Sequence, residues 1–201
     1  MMKSIVAGTA LVGLVLAAGP ASAQQPVSKQ EVQSFFQKAQ QELTQVVKAG
    51  DVDRLTKLVR EYVADGATFA VSMEVMAGDR RKAFTTVSLD KQDIIRFQRI
   101  VLTTLEMRDA IQDYELRIEV AEVNPIGADT ALVRTRINDS GSLRAPADVT
   151  GAIQPGGQPG TQQAGQALRF ERTVTCNQML RREGQDRFVI GISNCEGQAR
   201  L

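Results

Sequence analysis

The chain has 201 residues, 43% of them apolar and 23% charged, with 24 basic against 23 acidic side chains. That balance excludes the basic surface that nucleic acid rewards, and it excludes binding to anionic lipid by charge alone. Histidine and tryptophan are absent and there are two cysteines. Ser–His and Cys–His catalysis are therefore ruled out, and no metal site and no cofactor is expected.

Taken in order, the chain opens on Lys3 and an apolar run from Ile5 to Ala18. The run has about the length of a signal-peptide core and is short for a membrane span. "ASA", residues 21–23, sets small residues at −3 and −1 of a cleavage point before Gln24. Residues 1–23 are read as a cleaved signal peptide, and no Cys follows that would make a lipoprotein. An uncleaved anchor is the alternative. Removal leaves roughly 178 residues, which suits one domain with a real core. Lys3 goes with the leader, so the mature chain is near neutral. No later apolar run is long enough to cross a membrane, and the expected address is the periplasm or the medium.

Ser28 and Glu31 form an S-x-x-E capping box. Val32, Phe35, Phe36, Ala39, Leu43, Val46 and Val47 then recur at helical spacing, and Gly50 stops the helix. Asp51 caps a second helix with the stripe Val52, Leu55, Leu58, Val59, Tyr62 and Val63, ended by Asp65-Gly66. Asp51 and Asp53 are read as first-turn acids that complement the helix dipole, not as a cation site. From Ala67 the period becomes two. Phe69, Val71, Met73 and Val75 define one face of a strand, "AGDR" turns, and residues 82–88 return. Ser88 or Asp90 caps a third helix, with Ile94, Ile95, Phe97, Val101, Leu102 and Leu105 as its apolar face.

The rest reads as antiparallel sheet. Tyr114, Leu116, Ile118 and Val120 share the inner face of one strand. Ala131, Val133, Thr135 and Ile137 share that of the next. Pairing Val120 with Val133 sets Leu116 on Ile137 and Glu119 on Arg134, at the cost of Arg117 opposite Arg136. A Gly-, Pro- and Gln-rich segment at about 140–166 reads as a flexible insert. Two last strands, about 167–182 and 187–195, join through "EGQD".

The helix pair "AGDVDRLTKLVREYVADGATF", followed by "DKQDIIRFQRIVLTTL" and four strands, resembles the NTF2-like superfamily in its SnoaL-like form. The likeness covers about residues 28–196 and rests on element order and not on a catalytic motif. It implies an α+β cone: a helix pair and a third helix packed on a curved, mostly antiparallel sheet, with a pocket between. A cystatin-like domain is the fold alternative, and the two leading helices weigh against it. Residues 24–201 are thus expected to form one domain. This fold hosts enzymes, carriers and assembly modules alike.

Dehydratases of the family lean on a histidine, which this chain lacks. Isomerases and cyclases use an Asp with a Tyr or another donor. The two tyrosines, Tyr62 and Tyr114, both fall on inward faces, where a tyrosine usually packs its ring and bonds its hydroxyl nearby. On the fifth strand, Arg172 and Gln178 share the parity of Leu168, Phe170, Val174 and Leu180. An inward charge needs a partner or water. Arg172 would then bind a carboxylate or enolate, oriented by Gln178 and Tyr114; alternatively, a bulge flips the parity and leaves Arg172 solvated. Among carboxylates no inward candidate stands out: Asp139 could face inward at a strand end opposite Tyr114, but the Ser-Gly that follows favours a turn.

Cys176 and Cys195, in an exported chain, are expected to form a disulfide. Pairing Leu180 with Ile190 and Gln178 with Ile192 leaves Cys176 facing Asn194. A one-residue bulge or a four-residue loop brings the cysteines opposite. Without an acid–base pair, the leading expectation is an exported, non-catalytic binding or assembly module. It would bind a small apolar or anionic ligand in the cone, with Tyr62, Tyr114, Arg172 and Gln178 as ligand-binding residues. Its partners would be that ligand, a second copy through the sheet, or an envelope protein. The alternative is a cofactor-free lyase or isomerase of the ketosteroid isomerase or SnoaL type.

Overall fold

A computed structural model of the chain describes residues 25–104, 111–144, 167–184 and 187–200. The leader at 1–23 lies outside them, as does the insert from residue 145 on. Three helices and six strands follow in the expected order: α1 Lys29–Ala49, α2 Val52–Tyr62, β1 Val63–Ala77, β2 Arg80–Asp90, α3 Lys91–Thr104, β3 Ile111–Pro125, β4 Thr130–Arg144, β5 Ala167–Arg182 and β6 Phe188–Arg200. The strands form one mixed sheet in the order β2-β1-β6-β5-β4-β3. Only the β1–β6 pair is parallel. The fold is α+β, with the helices on one face of an unclosed sheet. No described helix is long and apolar enough to cross a membrane.

The helix ends follow local chemistry. The Glu31 N–H donates to Ser28 Oγ while Glu31 Oε2 accepts from the Ser28 N–H, so the capping box is complete. Gly50 takes the left-handed conformation at φ 61° and donates to Val46 and Val47 carbonyls. Asp51 Oδ1 accepts from the Arg54 N–H and caps α2. Asp90, not Ser88, caps α3: its Oδ1 accepts from the Asp93 N–H at 2.7 Å, and Ser88 lies within β2.

Four expectations need correction. First, α2 stops at Tyr62, and Val63 opens β1 directly. Asp65-Gly66 instead occupies the irregular stretch where pairing with β6 shifts between Val63 and Thr68. Gly66 serves there at φ 76°. Second, Phe97 is 60% exposed, while Ile95 is buried and Ile94 half-packed against the core. The side chains of Val101, Leu102 and Leu105 fall outside the described set. Third, the β3–β4 register differs by two residues and carries a bulge at Ala121. Ile118 faces Ile137, Glu119 faces Arg136 and Glu122 faces Arg134. Arg117 now meets Asn138, so the like-charge pair disappears and opposite charges align. Fourth, β4 runs on to Arg144, so "SGSLR" is strand and not insert.

The core sits between helices and sheet. Val27, Val32 and Phe36 pack on Ala131, Val133, Leu180 and Phe188, while Leu55, Leu58 and Tyr62 close the helix pair against Ala39 and Val46. The last hairpin has a one-residue bulge at Gly191, between Ile190 opposite Leu180 and Ile192 opposite Met179. That bulge sets Cys176 opposite Cys195, and the two form a disulfide.

Candidate functional site

On the inner face of β5, Arg172 lies beside Asp139 of β4. Its Nε donates to Asp139 Oδ1 at 2.8 Å and its Nη2 to Oδ2 at 2.7 Å. This two-point geometry is the strong form of the pair. Asp139 is buried, yet the Arg172 side chain is 46% exposed. The guanidinium therefore keeps N–H groups that Asp139 does not use. Burial works against its charge, but the Asp139 carboxylate more than offsets this and holds the guanidinium above its ordinary pKa.

Tyr114 completes the group from β3. Two β3 residues, Asp113 and Tyr114, stand opposite the single Gly141, because pairing shifts between Gln112–Ser142 and Glu115–Ser140. Asp113 takes a positive φ of 54° in this bulge. The bulge turns Tyr114 inward, where it is buried near Asp139 and Arg172. Burial first, and the Asp139 charge second, push its hydroxyl up to about 12, with Arg172 acting the other way. Tyr114 is thus a proton donor at any physiological pH.

These residues line a cleft of about 860 Å³ between α1 and strands β3–β5. Its helical wall is Gln40, Gln41, Thr44, Gln45 and Lys48. Gln40 fixes that wall to the edge strand, because its Oε1 accepts from the Ile118 N–H at 2.8 Å. An otherwise free edge donor is satisfied in this way.

The four residues singled out from sequence do not come together. Tyr114 and Arg172 do. Gln178 shares the inward parity but stands six residues further along β5, roughly 20 Å at strand rise. It is buried opposite Ser193, and its Nε2 donates to Ser193 Oγ at 3.4 Å. Gln178 Oε1 and the buried Thr135 Oγ1 have no hydrogen-bond partner among the described residues. Tyr62 lies under the helix pair, donates to Glu42 at 2.6 Å, and packs its ring edge-on to Phe35. Burial, then the bond to Glu42, raise its pKa.

The inward carboxylate is Asp139, which the sequence offers opposite Tyr114 but favours for a turn. A signal was present: it continues the inward parity of Val133, Thr135 and Ile137. Reading Ser140-Gly141 as a turn hid it.

No protein-family model matches the chain, and no curated protein matches it. Among solved structures the chain is similar to an NTF2-like protein of unknown function from Pseudomonas aeruginosa, at 18% identity and a TM-score of 0.47, covering 83% of this chain and 98% of that one. An NTF2-like protein of unknown function in nutrient uptake from Rhodospirillum rubrum gives 16% identity and a TM-score of 0.44, over 81% and 95%. A ketosteroid isomerase-like protein from Erwinia carotovora gives 12% and 0.40, over 82% and 94%. The likeness concerns the fold.

Proposed function

We propose that this protein is an exported binding module whose cleft takes a small carboxylate-bearing ligand. The observation that carries this is the half-exposed guanidinium of Arg172, locked by Asp139 on one edge and open to the cleft on the other. Tyr114 offers a neutral donor beside it, and Lys48 adds a cation on the opposite wall. Every lining side chain except Leu116 ends in a polar or charged group; Glu115 and Glu171 share the lining with Lys48 and Arg117, so the anchored Arg172 guanidinium is what favours the anionic ligand. The fork to Asp139 fixes the guanidinium in advance, so little side-chain entropy is lost on binding. The Cys176–Cys195 bond suits an oxidising compartment.

Calorimetric titration of residues 24–201 with succinate, benzoate and hexanoate tests this. One of these carboxylates should bind at neutral pH, more weakly as salt rises. Tyr114→Phe and Lys48→Ala should each weaken it about tenfold, the loss of one hydrogen bond to a charged group. No heat from any of the three, or equal affinity in both variants, refutes the reading.

A second reading, the cofactor-free isomerase, draws on Asp139 and Tyr114 as base and donor. Both Asp139 oxygens accept from Arg172. Both are therefore already engaged where a general base must reach its substrate, so binding ranks first. Turnover of a small carbonyl compound that is lost in both Asp139→Asn and Tyr114→Phe would reverse the order.

A further inference from the structure

The two edge strands of the sheet are guarded unequally. α1 packs along β3, and Gln40 spends its side-chain oxygen on the Ile118 N–H. β2 has no such cover. Every residue from Arg80 to Ser88 is exposed, and among the described residues no strand pairs with the free side of β2. An open edge is a row of unused N–H and C=O groups unless charge, proline or a bulge blunts it. Here that protection stops early. Pairing with β1 passes from Ala83 opposite Val75 to Arg81 opposite Met76, so Lys82 is a bulge, with Arg80 and Arg81 before it. From Ala83 to Leu89 the strand pairs residue for residue and holds no proline and no charge. Phe84 is 62% and Val87 39% exposed. They stand three places apart and so lie on opposite faces of the strand.

We propose that β2 takes up the unstructured C-terminal tail of another polypeptide, added antiparallel as a new edge strand with its carboxylate at the basic end. The charges set the direction. Arg81 pairs with Glu74, but neither Arg80 nor Lys82 forms an ion pair with another described residue. Asp79 is the one acid in the turn beside them, and Asp90 closes the other end of the strand. An antiparallel tail brings its C-terminus to Arg80 and Lys82 and its N-terminal side to Asp90. A parallel one sets the carboxylate against Asp90. Main-chain hydrogen bonds supply the affinity, and alternate side chains select the partner. The register reads out a pattern. One apolar residue stands opposite Val87, a second three places on stands opposite Phe84, and the terminal carboxylate follows two places later beside Lys82. Only a tail not paired elsewhere has its backbone groups free, so the tail orders as it docks. The edge lies across the sheet from the cleft at β3–β5 and shares no argument with the small-ligand reading.

The probe is the peptide Thr-Val-Thr-Thr-Phe-Thr-Asp with free ends, titrated calorimetrically into residues 24–201. Micromolar binding is expected, and excess succinate should not displace it. Amidating the C-terminus and replacing the Asp by Asn should weaken binding about tenfold, as should Arg80→Glu with Lys82→Glu. Phe84→Glu with Val87→Glu should abolish it. These side chains are exposed, and circular dichroism checks folding. The chain's own cysteines are bonded to each other, so Thr86→Cys adds a single thiol. The peptide with Cys in its third place should link to that thiol on mild oxidation, whereas Thr44→Cys on the cleft wall should not link. No binding at millimolar peptide overturns the proposal. So does equal binding by the reversed peptide or by the charge-reversed protein, or linking at Thr44→Cys. Thr86→Cys that links to a second copy in preference to the peptide overturns it too, because the edge would then belong to the protein itself.

Discussion

Two arginines on β5, Arg172 and Arg182, share the inward parity and each holds one carboxylate. They differ in what is left over. Arg182 is 6% exposed: its Nη2 donates to Glu31 at 2.6 Å, its Nη1 to the Gln25 carbonyl at 3.1 Å, and its guanidinium stands 5.5 Å from the Phe188 ring centre. It ties the start of the described chain and the first turn of α1 to the end of β5. Arg172 gives two donors to Asp139 and keeps an exposed edge. The same side chain is therefore a clasp where helices cover it and a receptor where they do not. Parity decides which face an arginine takes, and the element above it decides whether any donor remains.

The largest expected effect lies at the clasp. Arg182→Ala removes a hydrogen bond to the charged Glu31, one to the Gln25 carbonyl and the contact with the Phe188 ring, while Ser28 still holds Glu31. Together these losses cost about 3–5 kcal/mol. Denaturant unfolding should show that loss, while carboxylate affinity per folded molecule stays unchanged. An equal loss of affinity would mean the two arginines are not separable.

The staple between them comes next. Cys176 lies four residues from Arg172 and six from Arg182, bonded to Cys195. Replacing both cysteines by serine should cost about 2–4 kcal/mol, chiefly by freeing the unfolded chain. Amide exchange should then rise most where β6 pairs with the Arg172 end of β5, since no described helix packs on Gly197–Arg200. A uniform rise along β5 would break the contrast between its two ends.

At the cleft, Arg172→Ala should cost less, about 1–3 kcal/mol, because the vacated space admits water to Asp139. Its signature is lost carboxylate binding with most of the stability retained. Loss of more stability than Arg182→Ala would assign Arg172 to the core.

The clasp and the receptor were not equally legible. The parity of Arg172 was visible from Val174 and Leu180, as was the capping box that brings Glu31 near the clasp. Arg182 carried no signal, since its partners lie about 150 residues away in sequence. Register was the main loss. Bulges at Ala121 and Gly191, and at Asp113–Tyr114, insert one residue each and are set by cross-strand fit, which alternation does not encode. The bulge at Gly191, allowed for but not located by alternation, brings Cys176 to Cys195. Asp139 meets Arg172 in a β4–β5 pairing that carries no shift, and the Ser140-Gly141 that follows it hides the strand's continuation. Gln178 takes the expected face but stands about six residues along it from Arg172, because parity says nothing of distance along the strand.

The smallest effect sharpens the clasp without removing it. Glu31 has a pKa below its ordinary 4.5, owing first to the Ser28 hydroxyl and N–H and then to Arg182. A carboxylate with a lowered folded pKa adds stability above its unfolded pKa and loses it as pH falls through the folded one. Wild-type stability should therefore drop below about pH 4.5, and part of that drop should vanish in Glu31→Gln. The glutamine keeps a capping oxygen but no charge, so its own cost near neutral pH is small, about 0.5–1 kcal/mol. Arg182→Ala should flatten the same limb only partly, because Ser28 still holds the carboxylate. If Arg182→Ala removes the whole acid-dependent part, Arg182 and not the helix cap governs Glu31. The clasp would then act through charge more than through its hydrogen bonds.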